Sequence, residues 1–269
     1  MALVRGHSIN CDAIQMFVCS PNRWASRELT EEEITDFQRA KEETGISPIV
    51  AHSSYLINLG SPNEGLWQKS VNALVGQLRR CQQLGIKDFV LHPGSHSGSG
   101  EAEGLERVAA GLSAALEATS DTSVVILLET TAGQGTSLGY KFEHLAWLLG
   151  HAEPSERLGI CLDTAHVLAA GYEFRQSESY RAMWADFDAI IGLDRLRAIH
   201  LNDSKRDLGS RVDRHEQIGQ GFIGLEAFRL LVNDPRLRHV PMLLETPISS
   251  DMHEGIENLA LLRSLITES

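Results

Sequence analysis

Six residues able to ligate a metal stand at, or just past, the C-terminal ends of short apolar runs. They are His52 after 49–51, His92 after 89–91, Glu129 after 126–128, Asp163 after 159–162, His200 after 198–199 and Glu245 after 242–244. Three loop residues, His166, Asp213 and His215, share that chemistry. A lone histidine at a strand end is usually a hydrogen-bonded structural group. Nine imidazoles and carboxylates in this arrangement point instead to a metal centre. Asp163 and His166 are three residues apart, so a turn between them can aim both at neighbouring ions. Asp213 and His215 form an i, i+2 pair in extended chain, which turns both one way and Arg214 the other. The donor set suits Zn²⁺, Mn²⁺ or Fe²⁺, and without cysteine it is not a thiolate zinc site. Nine ligands are too many for one tetrahedral ion and about right for two or three ions sharing a bridging carboxylate.

A second group of residues has the chemistry of a nucleic-acid rim. Arg23 and Trp24 follow the first apolar run, Tyr55 and Leu56 follow His52, and Lys205, Arg206, Arg211 and Arg214 crowd the loop around His200 and Asp213. Cationic side chains grip phosphates, and an exposed Tyr-Leu pair can wedge into a duplex. The plainer alternative is that Tyr55 and Leu56 pack beneath their loop. His7, His144, His151, His239 and His253 fit structural or solvated roles, while His96 lies closer to the cluster.

Residues at the same end of successive strands converge only if the strands are parallel, and the rest of the sequence supplies that arrangement. Apolar strands are expected near 13–17, 47–52, 87–92, 123–128, 158–162, 196–201 and 240–244. Helices alternate with them, near 101–119, 138–150, 174–192, 224–233 and 253–266, with others opened by capping boxes at Thr30/Glu33 and Ser61/Glu64. The second of these helices carries Leu66, Val71, Leu74, Leu78 and Cys81 at helical spacing and stops at Gly85. The pattern is βα seven times over, with no linker or low-complexity segment, so residues 1–269 are read as one domain. The expected fold is an α/β TIM (β/α)₈ barrel lacking the first strand, with ligands on its top face. Residues 1–10 can supply the end of a helix but not a strand and a helix. Either the barrel is open on one side, exposing 14–17 and 242–244 as edges, or the coding start lies further upstream.

Composition agrees. The chain has 269 residues, 42% of them hydrophobic, near the ~250 typical of such a barrel. No apolar run approaches the ~18 residues of a membrane span, and the N-terminus lacks a signal peptide's apolar stretch. The four cysteines (Cys11, Cys19, Cys81, Cys161) are scattered, as cytosolic thiols are. The formal net charge of −12 argues against a nucleic-acid partner when taken alone. Metal ions neutralise carboxylates locally, however, and a local basic rim rather than the total charge forms the footprint.

The segments His52-Ser-Ser-Tyr55-Leu-Ile-Asn-Leu, Leu91-His92-Pro-Gly-Ser-His96, Leu128-Glu129-Thr-Thr-Ala-Gly-Gln-Gly135, Cys161-Leu-Asp163-Thr-Ala-His166, His200-Leu-Asn-Asp-Ser-Lys205, Arg211-Val-Asp213-Arg-His215 and Leu244-Glu245-Thr-Pro247 closely resemble the endonuclease IV family of apurinic/apyrimidinic endonucleases. The resemblance runs from about residue 13 to the end. It implies a TIM barrel with three metal ions, usually Zn²⁺, with Mn²⁺ or Fe²⁺ at some positions. By motif, His52, His92 and Glu129 would hold one ion. Glu129 would bridge to a second, shared with Asp163, His200 and Glu245, and His166, Asp213 and His215 would hold the third. Tyr55 and Leu56 match the family's minor-groove loop. Two departures stand out. The strand and Gly-rich loop with which the family begins are absent. The first loop reads Phe17-Val-Cys-Ser-Pro21-Asn22-Arg23-Trp24, with Arg23 one place beyond the family's DNA-contacting arginine and Asn22 in its position.

The implied reaction is hydrolysis of the phosphodiester 5′ to an abasic site in duplex DNA, leaving a 3′-hydroxyl and a 5′-deoxyribose phosphate, in base excision repair. Glu129 and Glu245 are the implied catalytic pair, with Glu245 orienting or deprotonating the attacking water. Arg23, Tyr55, Leu56, Lys205, Arg211 and Arg214 are the implied DNA contacts. The implied protein is a cytoplasmic monomer, nucleoid-associated when acting on DNA and without a membrane partner. Two other readings stay open. One is a metal-dependent sugar isomerase or epimerase on the same barrel, which would not need His166, the Asp213–His215 pair or a basic rim. The other is a catalytically weak protein that binds damaged DNA.

Overall fold

Helix α1 (Ala2–Ser8) leads into strand β1 (Ile14–Phe17); the computed structural model describes residues 2–24 and 27–267. Alternation follows through α2 (Glu31–Thr44), β2 (Ile49–His52), α3 (Glu64–Leu84), β3 (Asp88–Leu91), α4 (Glu101–Ala118), β4 (Val125–Glu129), α5 (Phe142–His151) and β5 (Leu158–Asp163). Next come α6 (Thr164–Ala170), α7 (Ser177–Ile190), β6 (Leu196–His200), the short β7 (Asp203–Ser204) and β8 (His215–Glu216), α8 (Leu225–Val232), β9 (Met242–Leu243) and α9 (His253–Ser264).

Among the described residues, seven strands form one parallel sheet in the order β1-β2-β3-β4-β5-β6-β9, and β7 and β8 form a separate antiparallel pair. Strands β2 and β5 are buried along their whole length, which is why their sequences stay free of charged and polar residues up to the terminal His52 and Asp163. Strand β1 pairs with β2 alone and β9 with β6 alone, so the sheet is a nearly closed TIM barrel lacking one strand, as the strand count predicts. A cavity of about 460 Å³ lies between these two edges, with Ala13, Ser47, Met242, Leu244, Leu262 and Ile266 in its lining. Side-chain contacts cross the opening at both ends. On the side where β1 begins, Arg263 of α9 reaches Asp12 at 2.9 Å. On the side where the strands end, Gln15 of β1 reaches Glu245 just past β9, at 2.6 Å.

The barrel floor is a layer of buried side chains: Val50, Val90, Leu127, Cys161, Ala198 and Leu243. Each stands two residues before a ligand-type residue on the same strand: His52, His92, Glu129, Asp163, His200 and Glu245. Successive side chains alternate across a strand, so a residue two steps beyond an inward-facing one faces inward too, one layer higher. The floor therefore fixes the height and direction of the ring above it.

Helix boundaries follow local chemistry. Thr30 and Glu33 form the expected capping box on α2, and Gly45 ends that helix in the left-handed region. The cap of α3 differs from the Ser61/Glu64 box expected from sequence. Asn63 is the N-cap, its Oδ1 accepting from Leu66 N–H at 2.8 Å, while Ser61 Oγ accepts from Asn63 N–H one step earlier. Helix α6 has no counterpart among the helices expected from sequence. Its seven residues directly follow β5, and Asp163 caps it by accepting from His166 N–H at 2.9 Å.

Candidate metal centre

The Glu129 carboxylate, fully buried at the end of β4, is the hub of the barrel mouth. Its Oε2 lies 2.8 Å from His92 Nε2 and 3.2 Å from His52 Nε2, while Oε1 lies 3.0 Å from His200 Nδ1 and 3.3 Å from His166 Nδ1. Glu245 Oε2 sits 3.1 Å from His200 Nδ1, and Asp163 Oδ2 3.7 Å from the same atom. His215 Nε2 lies 3.6 Å from Asp163 Oδ2 and 3.4 Å from Asp213 Oδ1. All nine residues singled out from sequence thus converge.

Eight of them sort into three sets whose candidate ligand atoms lie within 4.8 Å of one another: His52, His92 and Glu129; Glu129, Asp163, His200 and Glu245; and Asp163, His166 and His215. The first two sets match the groups implied by the resemblance, with Glu129 in both. In the third, Asp163 stands where the resemblance implies Asp213. Asp213 nevertheless reaches the same imidazoles, with Oδ2 3.2 Å from His166 Nε2. Most of the cluster is buried; the His92 and Asp213 side chains are about 40% exposed (39% and 43%) and form the open side of the mouth.

Hydrogen bonds away from the centre decide which ring nitrogen faces it. His52 Nδ1–H donates to Ser53 O (2.8 Å), His166 Nδ1–H to Thr130 O (2.8 Å) and His215 Nδ1–H to Glu245 O (3.2 Å). Each of these rings is left with an Nε2 lone pair facing a carboxylate of the cluster, Glu129 for His52, Asp213 for His166 and both Asp163 and Asp213 for His215, the arrangement that metal-ligating histidines adopt. His166 Nε2 and His215 Nε2 are buried without a hydrogen-bond partner. Unpartnered buried nitrogens facing carboxylates are what an imidazole-carboxylate metal site presents, so the residues fit divalent ions. Several groups able to hold metal ions are therefore built into this mouth.

The electrostatics agree. Burial alone would push the Glu129 carboxyl up, but His92, His200 and His166 outweigh it and hold it well below the ordinary carboxylate range. Burial would likewise lower His166, yet Asp163, Asp213 and Glu129 hold it well above the ordinary imidazole range. The carboxylates demand positive charge here, and a divalent ion supplies it in place of protons.

The rim residues are arranged as follows. Tyr55 is 67% exposed, its ring 5.4 Å from Phe17 and 6.4 Å from His52. Burial first, then the negative field of Glu245, Glu129 and Asp213, raises its phenol, so it overlooks the centre. Tyr55 N–H donates to Pro21 O at 3.1 Å, drawing the loop of exposed Arg23 alongside. Leu56 is half-buried, which places it between the wedge and the packed alternatives. Lys205 and Arg214 are exposed and joined through backbone, Lys205 N–H to Arg214 O at 2.9 Å. The Arg211 guanidinium lies 3.9 Å from the Tyr140 ring centroid, and Gln134 Oε1 accepts from Asp213 N–H at 3.0 Å. Together these two contacts brace the Asp213 loop. His96 does not reach the centre; its Nδ1 accepts from Gly98 and Gly100 N–H ahead of α4.

Three supporting residues had no part in the sequence reading of the site. Thr130 O orients His166, and Thr130 Oγ1 accepts from Asp163 N–H. Asn202, fully buried, donates to Asp163 Oδ2 at 2.6 Å and accepts from Glu245 N–H at 2.8 Å. Gln15 contacts both His200 and Glu245. Asn202 lies inside the His200–Lys205 segment, and Gln15 is the one polar residue in its apolar run, so each left a trace in the sequence.

Residues 4–265 match the family described as Xylose isomerase-like TIM barrel. The chain is 51% identical over 265 residues to a probable endonuclease 4 of Chloroflexus aggregans, covering 98% of this chain and 93% of the relative. It is 46% identical to the probable endonuclease 4 of Geobacter sulfurreducens, covering 98% and 90%. Among solved structures, endonuclease IV from Thermus thermophilus superposes with a TM-score of 0.86 at 38% identity, covering 98% of this chain and 92% of that one. A D-psicose 3-epimerase from Clostridium cellulolyticum superposes at 0.65 with 12% identity and shares the fold alone.

Proposed function

The chain belongs to the endonuclease IV family of xylose-isomerase-like TIM barrels, and on that premise we propose that it cleaves duplex DNA at abasic sites. The phosphodiester on the 5′ side is hydrolysed, leaving a 3′-hydroxyl and a 5′-deoxyribose phosphate, the incision step of base excision repair. The observation that carries this reading is the three sets of ligands joined through Glu129, in a chain half identical to the relatives named endonuclease 4. A sugar epimerase is supported only by the common fold.

Three Zn²⁺ ions per chain are the proposed complement. His52, His92 and Glu129 would hold one ion, and Glu129, Asp163, His200 and Glu245 a second. His166 and His215 would hold the third, with Asp213 on its open side. When bound, such ions generate a nucleophile from water at neutral pH and neutralise charge on a transferring phosphoryl group. The protein's own groups do the rest. Glu245 keeps one carboxylate oxygen facing the cluster to orient or deprotonate the attacking water. Tyr55 and Leu56 enter the duplex beside the lesion, and an abasic nucleotide, with no base to unstack, is turned out of the helix at little cost. Arg23, Lys205, Arg211 and Arg214 grip phosphates, offsetting the acidic body of the protein. Among the described residues no helix is long and apolar enough to cross a membrane. The proposed setting is a monomer acting on DNA in the cytoplasm.

The test is a labelled duplex carrying one tetrahydrofuran abasic analogue, incubated with zinc-loaded protein. Nicking immediately 5′ of the analogue, with an extendable 3′ end, is expected. Sugar interconversion without nicking would move the protein to the epimerases. Tight binding to the analogue with neither activity would make it a binding protein.

A further inference from the structure

We propose that Gln15 is a positioning residue of the metal centre: a side-chain amide on the edge strand that selects the inward-facing atom of both His200 and Glu245. The inference rests on the reading that this mouth holds metal ions, and it extends that reading to a residue that is not itself a ligand.

The geometry is specific. Gln15 Oε1 lies 2.8 Å from His200 Nε2, and Gln15 Nε2 donates to Glu245 Oε1 at 2.6 Å. An ionised carboxylate only accepts, so it fixes the amide with its nitrogen toward Glu245 and its oxygen toward His200. The amide oxygen in turn requires a proton on His200 Nε2. That leaves Nδ1 as the atom facing Glu129 Oε1 at 3.0 Å and Glu245 Oε2 at 3.1 Å. His200 is thereby reversed relative to His52, His166 and His215, all of which donate through Nδ1 to a backbone carbonyl and keep Nε2 free toward a carboxylate of the cluster, Asp213 in the case of His166. For those three the acceptor is a backbone carbonyl, which no substitution removes. For His200 it is one side chain. Gln15 also occupies Glu245 Oε1, so only Oε2 is left toward the cluster.

Its place in the barrel explains the reach. Ala13 packs against the floor layer, and Gln15 follows it by two residues, repeating the floor-then-ligand spacing of the other strands. Gln15 thus takes the β1 position in the ring of ligands without being one. Its partner Glu245 lies across the opening between β1 and β9, so the amide also joins the two sheet edges beside the centre.

The test compares wild type with Gln15→Leu, which removes both hydrogen bonds, and Gln15→Glu, which keeps an acceptor for His200 but loses the donor to Glu245. Zinc retention is measured by competition with a chromophoric chelator, independently of DNA cleavage. Imidazole protons are followed in the zinc-loaded protein by ¹H–¹⁵N correlation. Gln15→Leu should weaken one of the zinc sites by about 10- to 100-fold, the range for lost outer partners of metal ligands. It should also abolish the slowly exchanging His200 Nε2–H signal, with the other imidazole signals unchanged. Gln15→Glu should keep that signal and weaken the same site by less. Should Gln15→Leu fail to fold, Gln15→Glu decides alone. Wild-type zinc retention in either folded variant, or a His200 Nε2–H signal that survives in Gln15→Leu, overturns the assignment. An absence of DNA nicking by wild-type protein would refute the proposed function and leave this result standing.

Discussion

His92 Nε2 and Glu129 Oε2 lie 2.8 Å apart, the closest approach of the Glu129 carboxylate to any of its four histidines. Glu129 belongs to two of the three ligand sets, so its charge is shared between them. Glu129→Gln should therefore lower nicking by roughly a hundred- to a thousandfold, the scale of losing one main electrostatic element of a site. Zinc content should fall as well. Quantitative cleavage of the abasic-analogue duplex with metal analysis checks this, and near wild-type turnover would remove the bridging role.

Asp213 reaches His166 and His215 at the open side of the mouth. Asp213→Asn should cost about one of the three expected zinc ions and leave the other two in place, because Asp213 belongs to neither of the two sets that contain Glu129. Metal analysis after dialysis reads this directly. Loss of all the zinc would show that the sets do not load independently.

Proton release accompanies metal loading. Burial opposes charge on His166 and His200, but neighbouring acidic groups hold both well above the ordinary imidazole value of 6.5. In metal-free protein this raised affinity for protons stabilises the fold fully below the unfolded value and is lost as pH rises through the folded ones. Glu129 behaves oppositely: its depressed carboxyl contributes above its unfolded value, and that contribution is lost as pH falls through the folded one. Zinc must displace the imidazole protons, so its affinity should climb about tenfold per pH unit per proton released as pH rises toward the raised imidazole values. Calorimetric titration in two buffers of different ionisation enthalpy counts the protons; a pH-independent affinity would contradict this account.

Tyr55 stands 67% exposed, so its removal should scarcely alter stability. Tyr55→Ala should instead weaken binding to an abasic-analogue duplex by about 1–3 kcal/mol, the scale of one lost aromatic stack on a base, without loss of zinc. Fluorescence anisotropy against an undamaged duplex separates a lost wedge from a general loss of affinity.

The ligand ring is legible because each member ends an apolar run, and the barrel because the runs alternate with helical spacing. Gln15 is inconspicuous because an amide is not a typical metal-ligand side chain, although it is the polar break in residues 13–17. The α3 cap is hard to place because two competent caps, Ser61 and Asn63, lie within one turn, and only the chain path chooses between them. Helix α6 is a single short element whose start is set by its N-cap Asp163, so its sequence reads as a turn. The stacking of Arg211 on Tyr140 joins remote segments and has no local signature.

The open side of the barrel bears on how the protein breathes. In a closed barrel every strand is held by two neighbours, so loosening any one of them breaks two ladders. Here β1 and β9 are each held by one. Amide hydrogen exchange should therefore be fastest at these two ends and slowest near β4 and β5, in a gradient a closed barrel lacks. Glu129 grows from the slow middle, while Glu245 follows the fast end. A filled centre fastens the one to the other, and the degree to which metal slows exchange in residues 242–245 measures how far the cofactor acts as the barrel's clasp.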